Sequence, residues 1–264
     1  MPKNYRDANN EDTLWRYMPL SKFVDILITE SISFCRPDFF EDVYEGNHSD
    51  YIKAASDILH AEGGSGDLVE MFEQLAIKGY EEVKYKSHVL CLYANQIESA
   101  AMWKLYGNQK DTVAIKTTVK SLKDSLDPTI ADQKLEFGLV NYDITVDSLR
   151  RFYEIGREPQ EVINIHALNF LYSKRPSFQH EKEYRVLALP NQEIFAFAAA
   201  DIDVDQIKLT SPPVVKIPCD PSILIEELVI APDSPKWFVD MIKGLVEKLG
   251  GTFPISQSQL YTLN

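Results

Sequence analysis

The sequence predicts an α+β fold: twisted, mostly antiparallel strands with helices around them. Three observations point there. Short strand-like runs lie among helical segments at unequal spacing, unlike the regular alternation of a βαβ series. Hydrophobic residues make up 45% of the chain, enough for a substantial core. No internal repeat or low-complexity linker interrupts it. Residues 1–264 therefore read as a single domain with a polar tail at 1–12.

The elements follow in order. Leu14-Trp15-Arg16-Tyr17-Met18 is a strand with one charge, Arg16, between two aromatics. A helix follows, with Ser21 as its expected N-cap and Phe23, Val24, Ile26 and Leu27 facing inward. Ser31–Cys35 is a second strand, ending at Pro37. Asp38 to Gly46 is an acidic, aromatic loop, either a capping turn or a ligand-facing edge. Residues 48–86 read as two helices broken at Gly63-Gly64-Ser65-Gly66. That patch is a turn and not a phosphate loop, because no Lys-Ser/Thr follows it and no strand precedes it. Asp67 is the expected cap of the second helix, with Leu68, Phe72, Leu75 and Ile77 or Gly79 as its apolar face.

Ser87–Tyr93 is a strand, and Glu98–Tyr106 a short helix stopped by Gly107. Asp111–Thr118 is a strand, 119–126 a helix and Leu135–Tyr142 a strand. A helical stretch covers about 146–173. Glu181–Leu189 is an apolar strand ending at Pro190. Shorter strands are expected at Ile194–Phe197, Val214–Ile217 and Leu228–Ile230. A helix over Pro235–Leu249 has proline at its first turn and Gly250-Gly251 past its end. Strands near 252–255 and 260–263 close the chain.

Net charge is −13 and the pI about 4.9. Phosphate-backbone binding needs a basic surface, so the balance argues against nucleic acid as a partner. Cys35, Cys91 and Cys219 are far apart, in apolar contexts and without metal spacing, and read as buried structural thiols in a reducing cytosol. The polar start has no signal-peptide core and no window approaches 18 apolar residues, so a soluble cytoplasmic protein is expected.

The chemistry-bearing stretch is Phe178-Gln179-His180-Glu181-Lys182-Glu183-Tyr184-Arg185. If the strand reaches back to Glu181, then Glu181, Glu183 and Arg185 share one face, with the carboxylates roughly 7 Å apart. Buried charge is costly unless paired. Such a row lies either on a wet edge, as a Glu–Arg pair, or in a working cleft. On the 98–106 helix, Trp103 and Tyr106 are three apart and Ser99 four before Trp103, so they share a face, as core stripe or as ligand wall. Asp42 and Glu45 either pair with Arg16 or Arg185, cap the next helix, or join Glu183 around a divalent metal in a hydrolase-type site. His48, His60, His88, His166 and His180 show no metal spacing; His180 borders the carboxylates. No GxGxxG, GxxxxGK[ST], HExxH or GxSxG motif occurs.

With these blocks on the page, the chain resembles the bacterial domain of unknown function family 2971. The likeness rests on Leu14-Trp15-Arg16-Tyr17, on Ser33 to Asp38 running into Phe40 to Gly46, on Leu90-Cys91-Leu92 with Glu98 to Tyr106, and on His180 to Arg185. The tail Glu227 to Pro232 fits as well. A second resemblance is to ADP-ribosyltransferase-like folds, in which NAD sits between two small sheets. It rests on a basic residue on an early strand, a polar and aromatic block mid-chain and a late Glu-x-Glu. It implies a split-sheet layout and NAD as the cofactor, with no metal. It also implies that Arg16 holds phosphate or ribose, with Tyr106 or Trp103 stacked on nicotinamide. Glu183 then binds the ribose and stabilises the charge that develops as nicotinamide leaves, while Glu181 orients the acceptor. Ser99, Glu45 and Arg185 complete the expected cofactor set. No Ser-Thr-Ser triplet follows the middle strand, which departs from that pattern.

The resulting expectation is a bacterial cytoplasmic effector, of phage-defence or toxin type, with NAD-using chemistry. The alternatives are a sensor or interaction module with a charged small-ligand cleft, and a metal-dependent hydrolase. An NAD site requires Arg16, Tyr106 and Glu183 to meet in one pocket, with Glu183 unpaired and reachable.

Overall fold

The computed structural model describes residues 7–42, 44–106, 111–127, 132–143, 168–190 and 203–262. The strands among these form one nine-stranded sheet. They are β1 (Thr13–Pro19), β2 (Ser31–Cys35), β3 (His88–Ala94), β4 (Thr112–Thr118), β5 (Gln133–Leu139), β6 (Glu183–Pro190), β7 (Val214–Pro218), β8 (Glu227–Ile230) and β9 (Ile255–Gln257). The helices are α1 (Leu20–Thr29), α2 (Ser49–Ala61), α3 (Gly66–Lys86), α4 (Ala100–Tyr106), α5 (Val119–Ser125), α6 (Val204–Thr210), α7 (Pro221–Leu224) and α8 (Lys236–Lys248). The architecture is mixed α/β, with a mostly antiparallel open sheet surrounded by helices. Only the β8–β9 pair is parallel among the described strands.

The main path runs β5-β6-β3-β1-β4-β8-β9, with β2 and β7 off it. One edge of β3 is paired with β6 from His88 to Tyr93. The other edge meets two strands at its two ends: β1 at Tyr93 and Ala94, and β2 at Val89. Between them the sheet forks. One arm carries β1, β4, β8 and β9, the other β2 and β7, which is the split expected of the sheet. In the gap, the Arg16 guanidinium donates to the carbonyl of Cys91.

Three apolar clusters hold these layers. The largest joins the sheet to α1, α5 and α8, through Phe23, Leu122 and Ile242 against Leu90, Ile115 and Val186. The second lies under α2, α3 and the 3₁₀ turn Asn169–Tyr172, with Tyr80, Val83 and Phe170 on Leu187 and Leu189. The third packs α4 on β1, with Met102 and Trp103 against Trp15 and Tyr17. Strand β6 is therefore covered on both faces: Tyr184, Val186 and Ala188 enter the first cluster, Leu187 and Leu189 the second. Glu183 and Arg185 alternate with Tyr184, so they point to the side of Leu187, beneath the helices.

Several expected elements shift. Helix α1 starts one residue before Ser21, and Pro19 occupies the N-cap without a side-chain cap. The cap of α3 is Ser65, which accepts from the Leu68 N–H, not Asp67. Its buried face includes Val69, Ala76, Gly79, Tyr80 and Val83, so of the expected face Gly79 is buried while Leu68 and Ile77 are exposed. The Leu68 reading began the helical stripe one position early, which rotates the face by about 100°. Strand β5 begins at Gln133 and ends at Leu139. The expected 252–255 strand is Ile255–Gln257, and 260–261 form a turn in place of a strand. The expected strand at 194–197 and most of the 146–173 helix lie outside the described residues; the described end, Asn169–Tyr172, is 3₁₀. Strand β6 does not reach Glu181. Pro176–Glu181 forms a 3₁₀ turn, and Lys182 at φ 37° separates it from the strand.

Candidate functional site

The fork in the sheet is a cleft of about 760 Å³. Its charged wall carries Arg16, Glu45, Tyr106, Lys174, Glu181 and Glu183; its apolar wall carries Met18, Ile26, Ile32, Phe34 and Val89. A smaller pocket of about 20 Å³, room for a single water molecule, shares Arg16, Cys91, Tyr106, Glu181 and Glu183 with the cleft. The residues singled out on the early strand, the mid-chain helix and the late acidic stretch thus converge. Glu181 joins them from the 3₁₀ turn and not from the strand.

The charges on this wall form a cage. Glu183 is 5% exposed. One carboxylate oxygen accepts from Lys174 Nζ at 2.7 Å and the other from Arg185 Nε at 2.6 Å. Lys174 also reaches Glu181 at 2.8 Å and Glu45 at 3.0 Å, with the Phe178 ring 4.7 Å from its ammonium. Arg185 is 1% exposed. It donates to Glu45, and to the Leu171 carbonyl at 2.7 Å. Every buried charge has a partner, as burial demands. Tyr142 anchors the strand end by accepting from the Glu183 backbone N–H at 2.8 Å.

The cage drives its two cleft carboxylates apart. Burial alone raises Glu183, but Arg185 and Lys174 overcompensate and hold it well below the ordinary carboxylate range. Glu181 is pushed up to about 7 by burial and by its hydrogen bond to Glu183, against the pull of Lys174. Burial would lower Lys174, yet Glu183 and Glu45 hold its ammonium above the ordinary lysine value. One carboxylate stays an anion and its neighbour exchanges a proton near neutrality, the pattern that separates a charge stabiliser from an acid or base.

Other expected residues fall elsewhere. Trp103 is buried in the third cluster, edge-on to Tyr17 at 4.9 Å, and its Nε1 donates to Glu98 at 2.7 Å. Ser99 donates its backbone N–H to the Tyr17 hydroxyl at 2.9 Å, and its side chain faces the Met102 N–H. Neither lines the cleft; both pack α4 onto β1, and only Tyr106, at the helix end, reaches it. Arg185 lies behind Glu183 with its donors engaged, so it positions Glu183 and is not itself a cleft wall. The expected free Glu183 is instead an ion-paired one. Glu45 faces the cleft and pairs with Arg185, whereas Asp42 turns to Arg175 at 2.7 Å. Among the described residues no group of three or more His, Cys, Asp or Glu is arranged to hold a metal. The metal reading needs an ion among the acids, and the Lys174 ammonium stands there.

Cys35 and Cys91 are half-buried and line the cleft, while Cys219 is buried. Burial raises both cleft thiols, Cys91 strongly, so they are poor nucleophiles. Sequence reasoning missed Lys174. Its signal was the basic pair Lys174-Arg175 just before Pro176, within reach of a carboxylate row that burial required to be paired.

The family model described as "Protein of unknown function (DUF2971)" matches residues 102–186. The resemblance read from the motifs is thereby matched over the end of the mid-chain helix and the whole His180–Arg185 block. No curated protein matches the chain. Among solved structures, Thermus sp. 2.9 DarT in complex with NAD+ aligns over 96% of this chain and 98% of its own, at 7% identity and a TM-score of 0.39. The same protein in complex with ADP-ribosylated ssDNA aligns over 96% and 97%, at 8% identity and a TM-score of 0.38. Its complex with carba-NAD+ aligns over 95% and 96%, at 7% identity and a TM-score of 0.37. Among the described residues no helix is long and apolar enough to cross a membrane.

Proposed function

We propose that this chain is an NAD-using enzyme of ADP-ribosyltransferase-like chemistry, an effector of the phage-defence or toxin kind. The observation that carries the activity is the meeting of Arg16, Tyr106, Glu181 and Glu183 in the fork of the sheet, with Glu183 held as an anion. The effector role comes from the sequence resemblance.

In this reading NAD+ is the ligand of the cleft. Arg16, half-buried and reaching into the gap, pairs with a phosphate of the dinucleotide. Tyr106, exposed at the mouth, offers a ring face to nicotinamide. The bond between the ribose C1′ and the pyridinium nitrogen breaks, and its electron pair leaves with neutral nicotinamide. Positive charge grows on the ribose, and the fixed Glu183 carboxylate, aimed before the reaction starts, stabilises it. The acceptor, water or a target hydroxyl or amine, then attacks C1′, and ionised Glu181 takes its proton. Lys174 and Arg185 each take one Glu183 oxygen, and once Glu181 is ionised and no longer donates to it, two lone-pair directions remain for a ribose hydroxyl.

That same pairing favours a second reading, a module that binds a nucleotide-like ligand without turnover. One experiment separates them: nicotinamide release from NAD+ by the wild type and by Glu183→Gln, alongside thermal unfolding with and without NAD+. Release that stops in Glu183→Gln, in a folded protein, supports the enzyme. A raised melting point without release supports the binding module. Neither effect overturns both.

A further inference from the structure

We propose that Lys174 is the positioning residue of this site: its ammonium, gripped at one point by Glu45, Glu181 and Glu183, ties the two cleft carboxylates together and keeps Glu181 able to ionise beside its neighbour. This rests on reading Glu181 and Glu183 as the working pair; Arg185, bonded to Glu183 and not to Glu181, makes the two unequal, and Lys174 limits that inequality.

Geometry carries it. Lys174 lies one residue past Ser173, whose hydroxyl bonds Tyr51 and the Asn169 carbonyl. Its own N–H binds the Asn141 carbonyl at 3.1 Å. The backbone is therefore tied on two sides before the side chain begins. The chain then passes the Phe178 ring, and the ammonium donates hydrogen bonds to Glu183 at 2.7 Å and Glu181 at 2.8 Å and stands 3.0 Å from Glu45 as an ion pair. These carboxylates come from three segments: the Tyr44–Gly46 turn, the Pro176–Glu181 turn and β6. No other described cation touches all three. Of the three carboxylates Arg185 binds Glu45 and Glu183, so without Lys174 no cation bonds Glu181. An ammonium is a point charge without the planar fork of arginine, which suits three converging acceptors.

The consequence is directional. The groups facing the pair are Lys174, Arg185 and Glu45 from behind, Tyr142 beside Glu183, and Arg16, Cys91, Tyr106 and His180 around the cleft. Of the cations among them, Lys174 alone bonds Glu181. Removing it leaves Glu181 beside the Glu183 anion with no cation bonded to it, and its proton is then held more tightly.

The test is a carboxyl ¹³C NMR titration of glutamate-labelled protein without ligand, with the Glu181 signal assigned through Glu181→Gln. In Lys174→Met the Glu181 midpoint rises by roughly one pH unit or more, the usual size of a lost neighbouring charge. Lys174→Arg restores it toward the wild type. An unmoved midpoint in Lys174→Met overturns the proposal. Should Lys174→Met not fold, Glu45→Gln keeps the lysine but removes one competitor, and the midpoint then falls; no movement there is equally fatal. Nicotinamide release in the same variants is the separate arm. If the cage titrates as stated and no protein, wild type included, releases nicotinamide, the NAD reading fails while the role of Lys174 stands.

Discussion

Two buried arginines make ionic knots in this protein, and they differ in balance. Arg36, 5% exposed at the end of β2, meets one carboxylate, Asp38, through two hydrogen bonds of 2.7 and 3.0 Å. Its remaining donors bind the carbonyls of Lys208 and Ser211 at 3.0 and 2.6 Å. The rings of Phe39 and Tyr85 close over it, at 5.1 and 5.5 Å. One cation and one anion, with neutral carbonyl acceptors, leave the charges of this knot balanced. The Arg185 knot sets three carboxylates against two cations and borders the cleft. With Glu181 protonated it is neutral; with Glu181 ionised it carries one surplus negative charge. A balanced knot ties loops together, whereas an unbalanced one stores a proton equilibrium next to a ligand.

The largest expected effect is Arg185→Met. It leaves Glu45 and Glu183 buried against a hydrophobic side chain, and breaking a buried pair from one side costs about 3–5 kcal/mol. Urea unfolding measures it. A cost below about 1 kcal/mol would mean that the cage is wetter than its burial states. Arg36→Met is the matched change in the balanced knot. Asp38 keeps some solvent access, 17% for its side chain, so the loss is about 2 kcal/mol, the scale of hydrogen bonds to a charged group. The Glu181 carboxyl titration profile of the surviving folded protein is expected to stay as in the wild type. A changed profile would erase the distinction between the two knots.

Next is the pH dependence of stability. Glu181 has a folded value near 7 against about 4.3 in an unfolded chain. Between these the native state holds a proton that the unfolded state has released. Stability from this group is therefore fully present below about 4.3 and lost as pH rises through 7. Glu183 has the opposite sign: its contribution is present above about 4.3 and lost as the solution becomes strongly acidic. Unfolding at pH 5 and pH 8 isolates the first term. The wild type loses stability between the two relative to Glu181→Gln, and parallel behaviour of the two proteins would refute a proton stored on Glu181.

The knots also show what a sequence exposes. The late Glu-x-Glu-x-Arg run and Arg16 were legible because charges in strand-like segments stand out against apolar neighbours. The strands themselves were legible from their apolar runs, but their order in the sheet was not, since pairing is set by tertiary contacts. The register of β6 was not legible past Glu183. Pro176 starts a 3₁₀ turn and Lys182 takes a left-handed conformation, and a lysine carries no sign of that. Glu181 reached the site by a turn that nothing local announces. Trp103 and Tyr106 share helical spacing, yet β1 covers one and the cleft leaves the other open; only tertiary placement separates them. The basic pair Lys174-Arg175 was visible, but its partners were not, since those of Lys174 lie 7, 9 and about 130 residues away along the chain.

The smallest effect sharpens the comparison most. Asp42 and Arg175 form an ion pair at 2.7 Å on the rim of the cleft, with Arg175 stacked on Tyr44 at 4.4 Å. The pair is near the cage, but it is balanced; the arginine side chain is 47% exposed and the aspartate side chain 4%. Water around the arginine screens the pair, and asparagine keeps an acceptor at the buried aspartate position, so the change stays under about 1 kcal/mol. Asp42→Asn is therefore expected to change urea stability by less than that and to leave the Glu181 titration where it was. If the Glu181 midpoint moved as far as in Lys174→Met, mere nearness to the cleft would set the proton equilibrium, and the unequal count of charges in the cage would lose its meaning.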